Sequence, residues 1–395
     1  MTAEIRLALA AVEGNLGYKS LDSILPTLKV MDPNSTVWRD LTMGRAKLSY
    51  SISDGIGPHL HETTIQRARE STSFSLSLDS ASTHRGGLTK DLDIHISYWD
   101  SIKSEAIESL LAITEMSSET AEILKNVVLT VLDQEGLKMK NLLAVSRDNP
   151  NVNKRLVKLL KEEANAKGSK LIDFGSCVLH TVHNAFEKGL NQLSVDIPSL
   201  AQCLHGFFKY STIRREQFAI ELMDLDLATS NFKRHVNSRW LSLKPAAELI
   251  DKQWPAITKY FLTTLPELAE SGDKNAKDGI KTKYYQLICE QLRNSTCRLV
   301  LKEVIYVCEK FSPFLHQLQS STPLAHRLFD YCGNLLHSVM VCLIKEPTLP
   351  DKVTSLKKVD PTKNLRDGPK MSPSAKGLYD KMSTHQQEGI RREFR

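Results

Sequence analysis

The sequence predicts an α/β protein with a mixed five-stranded sheet, an N-terminal helical region and a large all-α insertion. Residues 74–78 and 92–98 alternate strictly between apolar and polar side chains, which is typical of half-buried strands. Two later apolar runs, 141–148 and 171–177, enclose a basic helical segment and give a strand–helix–strand pattern. Apolar residues at helical spacing over 191–350 predict the all-α part.

The composition is that of an ordinary water-soluble globular protein. Of the 395 residues, 41% are hydrophobic and 25% are charged. No run approaches the roughly 20 continuous apolar residues that span a membrane, and the first residues lack the apolar core of a signal peptide. The seven cysteines are odd in number and lie mostly in helical patterns, which favours reduced thiols in the cytosol or nucleus.

Four regions follow from these patterns. They are an N-terminal helical region at 1–70, a core at 71–190, the all-α insertion at 191–350 and a basic, flexible tail at 351–395. From Lys352 to Arg395 the chain holds eleven Lys or Arg and five Asp or Glu, so its net charge of +6 equals that of the whole chain. A basic tail of this composition is either solvated or contacts phosphate.

Within the core the predicted order of elements is β-β-β-α-β-α-β-α. Asp79 lies where the first strand ends, the third strand lies near 107–113, and Asp148 ends the fourth strand. This is the order of an RNase H-like fold, in which the first and fourth strands are neighbours at the centre of the sheet. Two carboxylates there can share Mg²⁺ or Mn²⁺, and a metal pair can hold the attacking and leaving oxygens of a phosphodiester.

A Cys-x-x-His pair follows the fifth predicted strand. Reactive groups collect where strands of open α/β sheets end, because these ends line one crevice. We therefore expect Cys177 and His180 to lie near Asp148. His183 is on the same helix face as His180 and is interpreted as structural.

Four blocks of the chain, in this order, resemble the consecutive blocks of hAT-type transposases. They are Phe74-Ser-Leu-Ser-Leu-Asp79-Ser80, Leu142-Leu-Ala-Val-Ser-Arg-Asp148-Asn-Pro-Asn151-Val152-Asn153, Cys177-Val-Leu-His180-Thr-Val-His183-Asn184 and Ser238-Arg239-Trp240-Leu241-Ser242. The similarity continues through 250–261, and the chain looks most like host-domesticated or decayed animal proteins of this superfamily. The resemblance implies an RNase H-like core that an all-α insertion splits.

The resemblance also implies roles for the matching residues of the core. Asp79 and Asp148 match the two aspartates of the family's Asp-Asp-Glu metal site, and Mg²⁺ or Mn²⁺ is the implied cofactor. Cys177 and His180 match the Cys-x-x-His pair beside that site.

The fourth block and the ends of the chain carry further implications. Trp240 matches a tryptophan that lies near the DNA end and can stack on a base, and Arg239 precedes it. The family's catalytic glutamate block has no match, since the surroundings of Glu388 and Glu393 differ from it. The family's N-terminal zinc finger has no match in residues 1–70 either.

Simpler interpretations of the acidic and aromatic residues stay open. Asp79 and Asp148 are of a type that often caps turns after strands. Trp240 is of a type that usually packs in cores.

The Cys-x-x-His pair also has alternatives. The favoured one is a buried thiol at Cys177 with a hydrogen-bonded histidine at the start of a helix. A structural zinc site needs about four ligands, and Cys203 and His205 are candidates for the others. A nucleophilic pair of Cys177 and His180 lacks an orienting third group.

The sequence thus favours a nuclear, transposase-derived protein that binds DNA or chromatin partners without completing strand transfer. The first alternative is an active metal-dependent transposase or nuclease whose third carboxylate lies elsewhere in the chain. The second is a protein–protein scaffold that uses the insertion at 191–350, and it predicts an exposed apolar patch and little affinity for DNA. A homo-oligomer fits each of them, and a membrane partner fits none.

Overall fold

The fold is mixed α/β, mostly helical with one open four-stranded sheet. The structure is a computed structural model, and it describes residues 2–82, 89–116, 118–147, 151–173, 175, 177–236, 242–319, 324–345, 348–350, 353–356, 358–360, 363–364 and 370–393. Two compact units form, Met1–His180 and Thr181–Arg395, and each is described by itself. Among the helices of these ranges, none combines the length and apolar character needed to cross a membrane.

The first unit begins with a helical region, as the sequence predicts. Its helices are α1 (Thr2–Glu13), α2 (Leu21–Met31), α3 (Thr36–Asp40), α4 (Arg45–Tyr50) and α5 (Gly57–Glu70). Ala8, Leu21 and Leu48 are fully buried in a small core of their own. Helix α5 instead contributes Ile65 and Ala68 to the core of the sheet.

The sheet has the strand order β3-β2-β1-β4. The strands are β1 (Phe74–Ser82), β2 (Lys90–Asp100), β3 (Glu105–Met116) and β4 (Leu142–Ser146). Strands β1, β2 and β3 pair antiparallel, whereas β1 and β4 pair parallel. The prediction that the first and fourth strands are neighbours is confirmed. The helices that follow are α6 (Ala121–Gln134), α7 (Asn151–Ala166) and α8 (Val178–Leu190).

The alternating pattern of the sequence separates the two faces of the sheet. Leu76, Leu78 and Ile96 are buried in one core with the apolar sides of α5, α6 and α7. Ser77 and His95 pair across β1 and β2 on the other face, where both side chains are only partly buried. Because successive side chains of a strand point to opposite faces, this second face collects the polar residues.

The predicted fifth strand is the main correction to the sheet. Of the described residues in 171–177, Ile172 alone forms a bridge, to Ala144 of β4, and its amide donates to the carbonyl of Leu143 at 2.8 Å. The amide of Gly175 then donates to the Asp173 carboxylate at 2.9 Å, and Gly175 has a φ of +84°. This Asx-type turn, with a backbone conformation that favours glycine, ends the extended run after one pairing. The described residues therefore form four strands and not five.

Asp100, whose carboxylate is buried, lies at the end of β2 where the chain turns toward β3. Asp100 has 1% of its side chain exposed, and it accepts hydrogen bonds from Arg67 at 2.7 Å and from the amides of Ile102 and Lys103 at 2.9 and 3.1 Å. The amide of Lys103, the Arg67 guanidinium and the amide of Ile102 lower the pKa of Asp100. Its charge is therefore stabilised in the folded state.

We expect this carboxylate to make the first unit sensitive to acid. A carboxylate with a lowered folded pKa stabilises above its unfolded pKa, and this contribution is lost as the pH falls through the folded pKa. The free energy of unfolding, measured by urea titration from about pH 6 to about pH 2, should therefore fall more steeply for the unmodified protein than for Asp100→Asn. Asp40→Asn, which alters an exposed ion pair with Arg39, should leave the slope unchanged. Parallel curves for Asp100→Asn and the unmodified protein would contradict this role.

The second unit is mostly helical in its described part. Its helices are α9 (Ile197–Lys209), α10 (Thr212–Asp224), α11 (Leu243–Lys252), α12 (Trp254–Lys259), α13 (Leu265–Glu270), α14 (Lys274–Ile280), α15 (Lys283–Arg293), α16 (Cys297–Leu318), α17 (Leu328–Leu343), α18 (Val353–Leu356), α19 (Pro373–Tyr379) and α20 (Thr384–Glu393). A short π-helical segment, Tyr260–Thr264, connects α12 to α13. Aromatic rings dominate the core around this segment. The ring centroids of Phe207, Phe208 and Phe261 are within 6 Å of one another.

The last part of the basic tail predicted at 351–395 contains helices. Residues 370–393 include helices α19 and α20, and Ala375 and Ile390 are fully buried with Leu299 of α16. Apolar residues at helical spacing within the basic segment, including Met371 and Leu378, complete this contact. This segment folds because it has an apolar side that packs against α16.

Candidate metal and nucleic-acid site

Asp79 lies on the polar face of the sheet. It is exposed on β1, which continues to Ser82 and so does not end at Asp79 as the sequence predicts. Asp93 of β2 pairs directly with Asp79. Side chains paired in this way have their Cβ atoms about 4.5–5.5 Å apart, so two carboxylates lie side by side on this face. Carboxylate oxygens are ligands that Mg²⁺ and Mn²⁺ prefer.

The second predicted aspartate follows the strand beside β1. The parallel pairing of β1 and β4 brings Ser77 opposite Ser146. Asp79 comes two residues after Ser77, and Asp148 comes two residues after Ser146. Asp148 itself is outside the described residues.

A buried arginine lies beside this strand end, and the sequence pattern did not identify it. Arg147 has 6% of its side chain exposed, and its Nη2 is 4.0 Å from the Asp173 carboxylate. Lys161 of α7 contacts the same carboxylate at 3.5 Å. The amide of Gly175, then Lys161 and Arg147, lower the pKa of Asp173. Arg147 precedes Asp148 directly, and this adjacency in the sequence is the signal that could have pointed to it.

Cys177 is held next to the same strand end. Its amide donates to the carbonyl of Arg147 at 2.9 Å, which places it beside the residue that precedes Asp148. The Cys177 side chain is partly buried, and His180, in the first turn of α8, is exposed. The predicted proximity of this cysteine to the end of the fourth strand is thus supported by one backbone hydrogen bond.

His183 belongs to the second unit and lines a polar cavity there. The cavity measures about 240 Å³, and His235 and Asp196 also line it. Burial, and then the charge of His183, lower the pKa of His235. His235 is therefore held in its neutral form, with one ring nitrogen 2.9 Å from the hydroxyl of Ser242.

Arg239 and Trp240 are outside the described residues, but the two ends of their segment are not. The Ser242 hydroxyl accepts a hydrogen bond from the Val236 amide at 3.0 Å, and it also contacts the His235 ring. One side chain thus holds residues 236 and 242 together across the five residues that include Arg239 and Trp240. Nothing in the sequence pattern predicted this closure.

The alternative zinc ligands have other contacts. Cys203 is buried in α9 and lies 3.9 Å from the Ser199 hydroxyl, and burial raises the pKa of its thiol. A ring nitrogen of His205 is 2.9 Å from the carbonyl of Phe232. Within the described ranges there is no group of three or more His, Cys, Asp or Glu side chains suited to a metal ion.

No protein-family model matches this chain, and a search of curated proteins finds no significant match.

Proposed function

We propose that this chain is a hAT-transposase-derived, nucleic-acid-binding protein with an RNase H-like core that does not complete strand transfer. The order and direction of the strands in the sheet support this proposal. Its β3-β2-β1-β4 order, with only β1 and β4 parallel, is the order expected for such a core. Ile172 pairs with Ala144, which also pairs with Ser75 of β1, so Ile172 is on the far side of β4 where a fifth strand would lie.

The acidic residues give the proposed core its ancestral metal site. Asp79 and Asp148 each come two residues after the last pair of the parallel ladder, Ser77 and Ser146. These residues would hold Mg²⁺ or Mn²⁺, and a bound cation would neutralise the carboxylates and bind phosphate oxygens. The 395 residues contain no block like the family's glutamate block, so we propose binding without strand transfer.

The segment that Ser242 closes is the proposed contact with nucleic acid. In the proposal, Trp240 stacks on a base and Arg239 contacts phosphate. Base–aromatic stacking contributes about 1–3 kcal/mol per base.

The test measures DNA affinity and cleavage on the same samples. Fluorescence anisotropy with a labelled duplex that carries a single-stranded end should show binding that weakens as salt rises, because bound Arg and Lys displace counterions. Trp240→Ala should weaken binding by roughly tenfold. Arg239→Ala should weaken it and also reduce its salt dependence. Trp99→Ala changes a tryptophan that is 58% exposed on the sheet, and it should bind like the unmodified protein.

Metal titration and the cleavage assay together distinguish a protein that binds without strand transfer from an active enzyme. Calorimetric titration of Mn²⁺ should show heat that disappears in the Asp79→Asn/Asp148→Asn double variant and persists in Asp133→Asn, a control on the exposed side of α6. No cleavage of the duplex is expected with Mg²⁺ or Mn²⁺. Cleavage that the double variant abolishes would overturn the proposed lack of activity, and salt-independent binding or none would overturn the nucleic-acid role.

A further inference from the structure

An apolar cavity of about 430 Å³ lies in the second unit between α8, α16 and α17. Its wall includes Phe186, Leu190, Val304, Phe311 and Leu335. This volume is within the range of small-molecule sites, and a mostly apolar wall with few polar groups is their usual character. The proposed binding of nucleic acid makes no use of this cavity, so a ligand site here is independent of that role.

Glu303 is the one charged side chain among the described residues that form the wall of this cavity, and it is 4% exposed. One of its carboxylate oxygens, Oε1, accepts hydrogen bonds from the amide of Ser372 at 3.1 Å and from its hydroxyl at 3.4 Å. Within the described part of the chain, the other oxygen has no hydrogen-bond partner. Burying a charged group without full compensation is costly, so a single acid in an apolar wall calls for a partner.

We propose that this cavity binds an amphiphilic organic cation, whose apolar body fills the space between the three helices and whose ammonium group donates to the second oxygen of Glu303. The apolar wall selects the body of the ligand through burial of hydrocarbon. The carboxylate selects its charge, because a hydrogen bond between an ammonium group and a carboxylate is stronger than one between neutral groups. A neutral ligand would leave the acid uncompensated, and an anionic one would be repelled.

Two variants distinguish the contributions of charge and cavity. Glu303→Gln keeps the size of the side chain and removes its charge. Gly189→Leu fills the space from α8, since Gly189 lines the cavity and an added Cβ meets no atom within 4 Å. Gly389→Leu is the matched control, because Gly389 is an exposed helical glycine of α20 with equal room and lies outside the cavity.

The experiment is isothermal titration calorimetry with n-decylamine, and with n-decanol as a neutral probe of equal length, at about pH 8 where the amine is protonated. The amine should bind at least roughly tenfold more tightly than the alcohol. Glu303→Gln should remove this preference while leaving the alcohol unchanged, and Gly189→Leu should abolish binding of both probes. Gly389→Leu should bind as the unmodified protein does.

Three results would overturn the proposal. Equal affinity of the unmodified protein for the amine and the alcohol would show that Glu303 does not select the ligand. Unchanged binding to Gly189→Leu would place the ligand elsewhere. No binding of either probe to the unmodified protein would exclude the cavity as a site for such cations. Circular dichroism of each variant shows whether the fold is kept, and both glycine positions have room for an added Cβ.

Discussion

Replacing Phe261 by alanine should destabilise the second unit by about 3–5 kcal/mol, which is the usual cost of removing a fully buried aromatic ring. Phe261 has 0% of its surface exposed, and its ring centroid is 5.0 Å from that of Phe207 and 5.3 Å from that of Tyr260. The residue is in the π-helical segment, so its backbone geometry also depends on this packing. A cavity at this point would remove contacts to several helices at once.

Urea unfolding followed by circular dichroism measures this loss, and hydrogen exchange of the α9 and α15 amides assigns it to the second unit. Phe329→Ala is the matched control, because Phe329 is 60% exposed and its removal should cost less than about 0.5 kcal/mol. Equal losses for the two variants would mean that the aromatic core is not what stabilises this unit.

Glu303→Gln should stabilise the protein in mildly alkaline solution. Burial raises the pKa of Glu303 from 4.5 to about 7, although the bonds from Ser372 lower it. A carboxyl group with a raised folded pKa is held protonated in the folded state after the unfolded state has ionised, so the stability falls as the pH rises from about 4.5 to about 7. Above this window the cost reaches about 3 kcal/mol, and the glutamine variant avoids it.

The stability difference between the two proteins should therefore grow with pH. Below about pH 4 it should be small, because Glu303 is neutral in both states and glutamine can accept the same bond from the Ser372 amide. Glu309→Gln, on the exposed side of α16, is the control and should show no such window. A glutamine variant that is less stable at every pH would show that the carboxylate is needed for the fold of α19.

The central features of the sheet could be predicted from the sequence because they depend on local patterns. Strict alternation in β1 and β2 fixes which side chains are buried, and the order of elements makes β1 and β4 neighbours. The end of the fifth run could not be predicted in this way. Its apolar residues suit a strand, but the turn made by Asp173 and Gly175 depends on a single side-chain hydrogen bond.

The candidate site could also be predicted only in part from the sequence. Asp79 was placed on the correct strand by alternation, whereas the contact between Arg147 and Asp173 joins residues far apart in sequence. The hydrogen bond between Ser372 and Glu303 joins residues 69 positions apart, and no periodic pattern in the sequence predicts it. Such contacts depend on how elements pack, and packing overrides the local preference that a pattern measures.

The position of β3 at the edge of the sheet has a consequence for self-association. Among the described strands it pairs on one side with β2 alone, so the backbone groups of its other side could add a strand from another copy of the chain. Glu105, Glu108 and Glu115 are exposed along this strand. Two copies paired there would bring Glu108 and Glu115 of each copy close together on one face, which disfavours fibril-like growth at neutral pH.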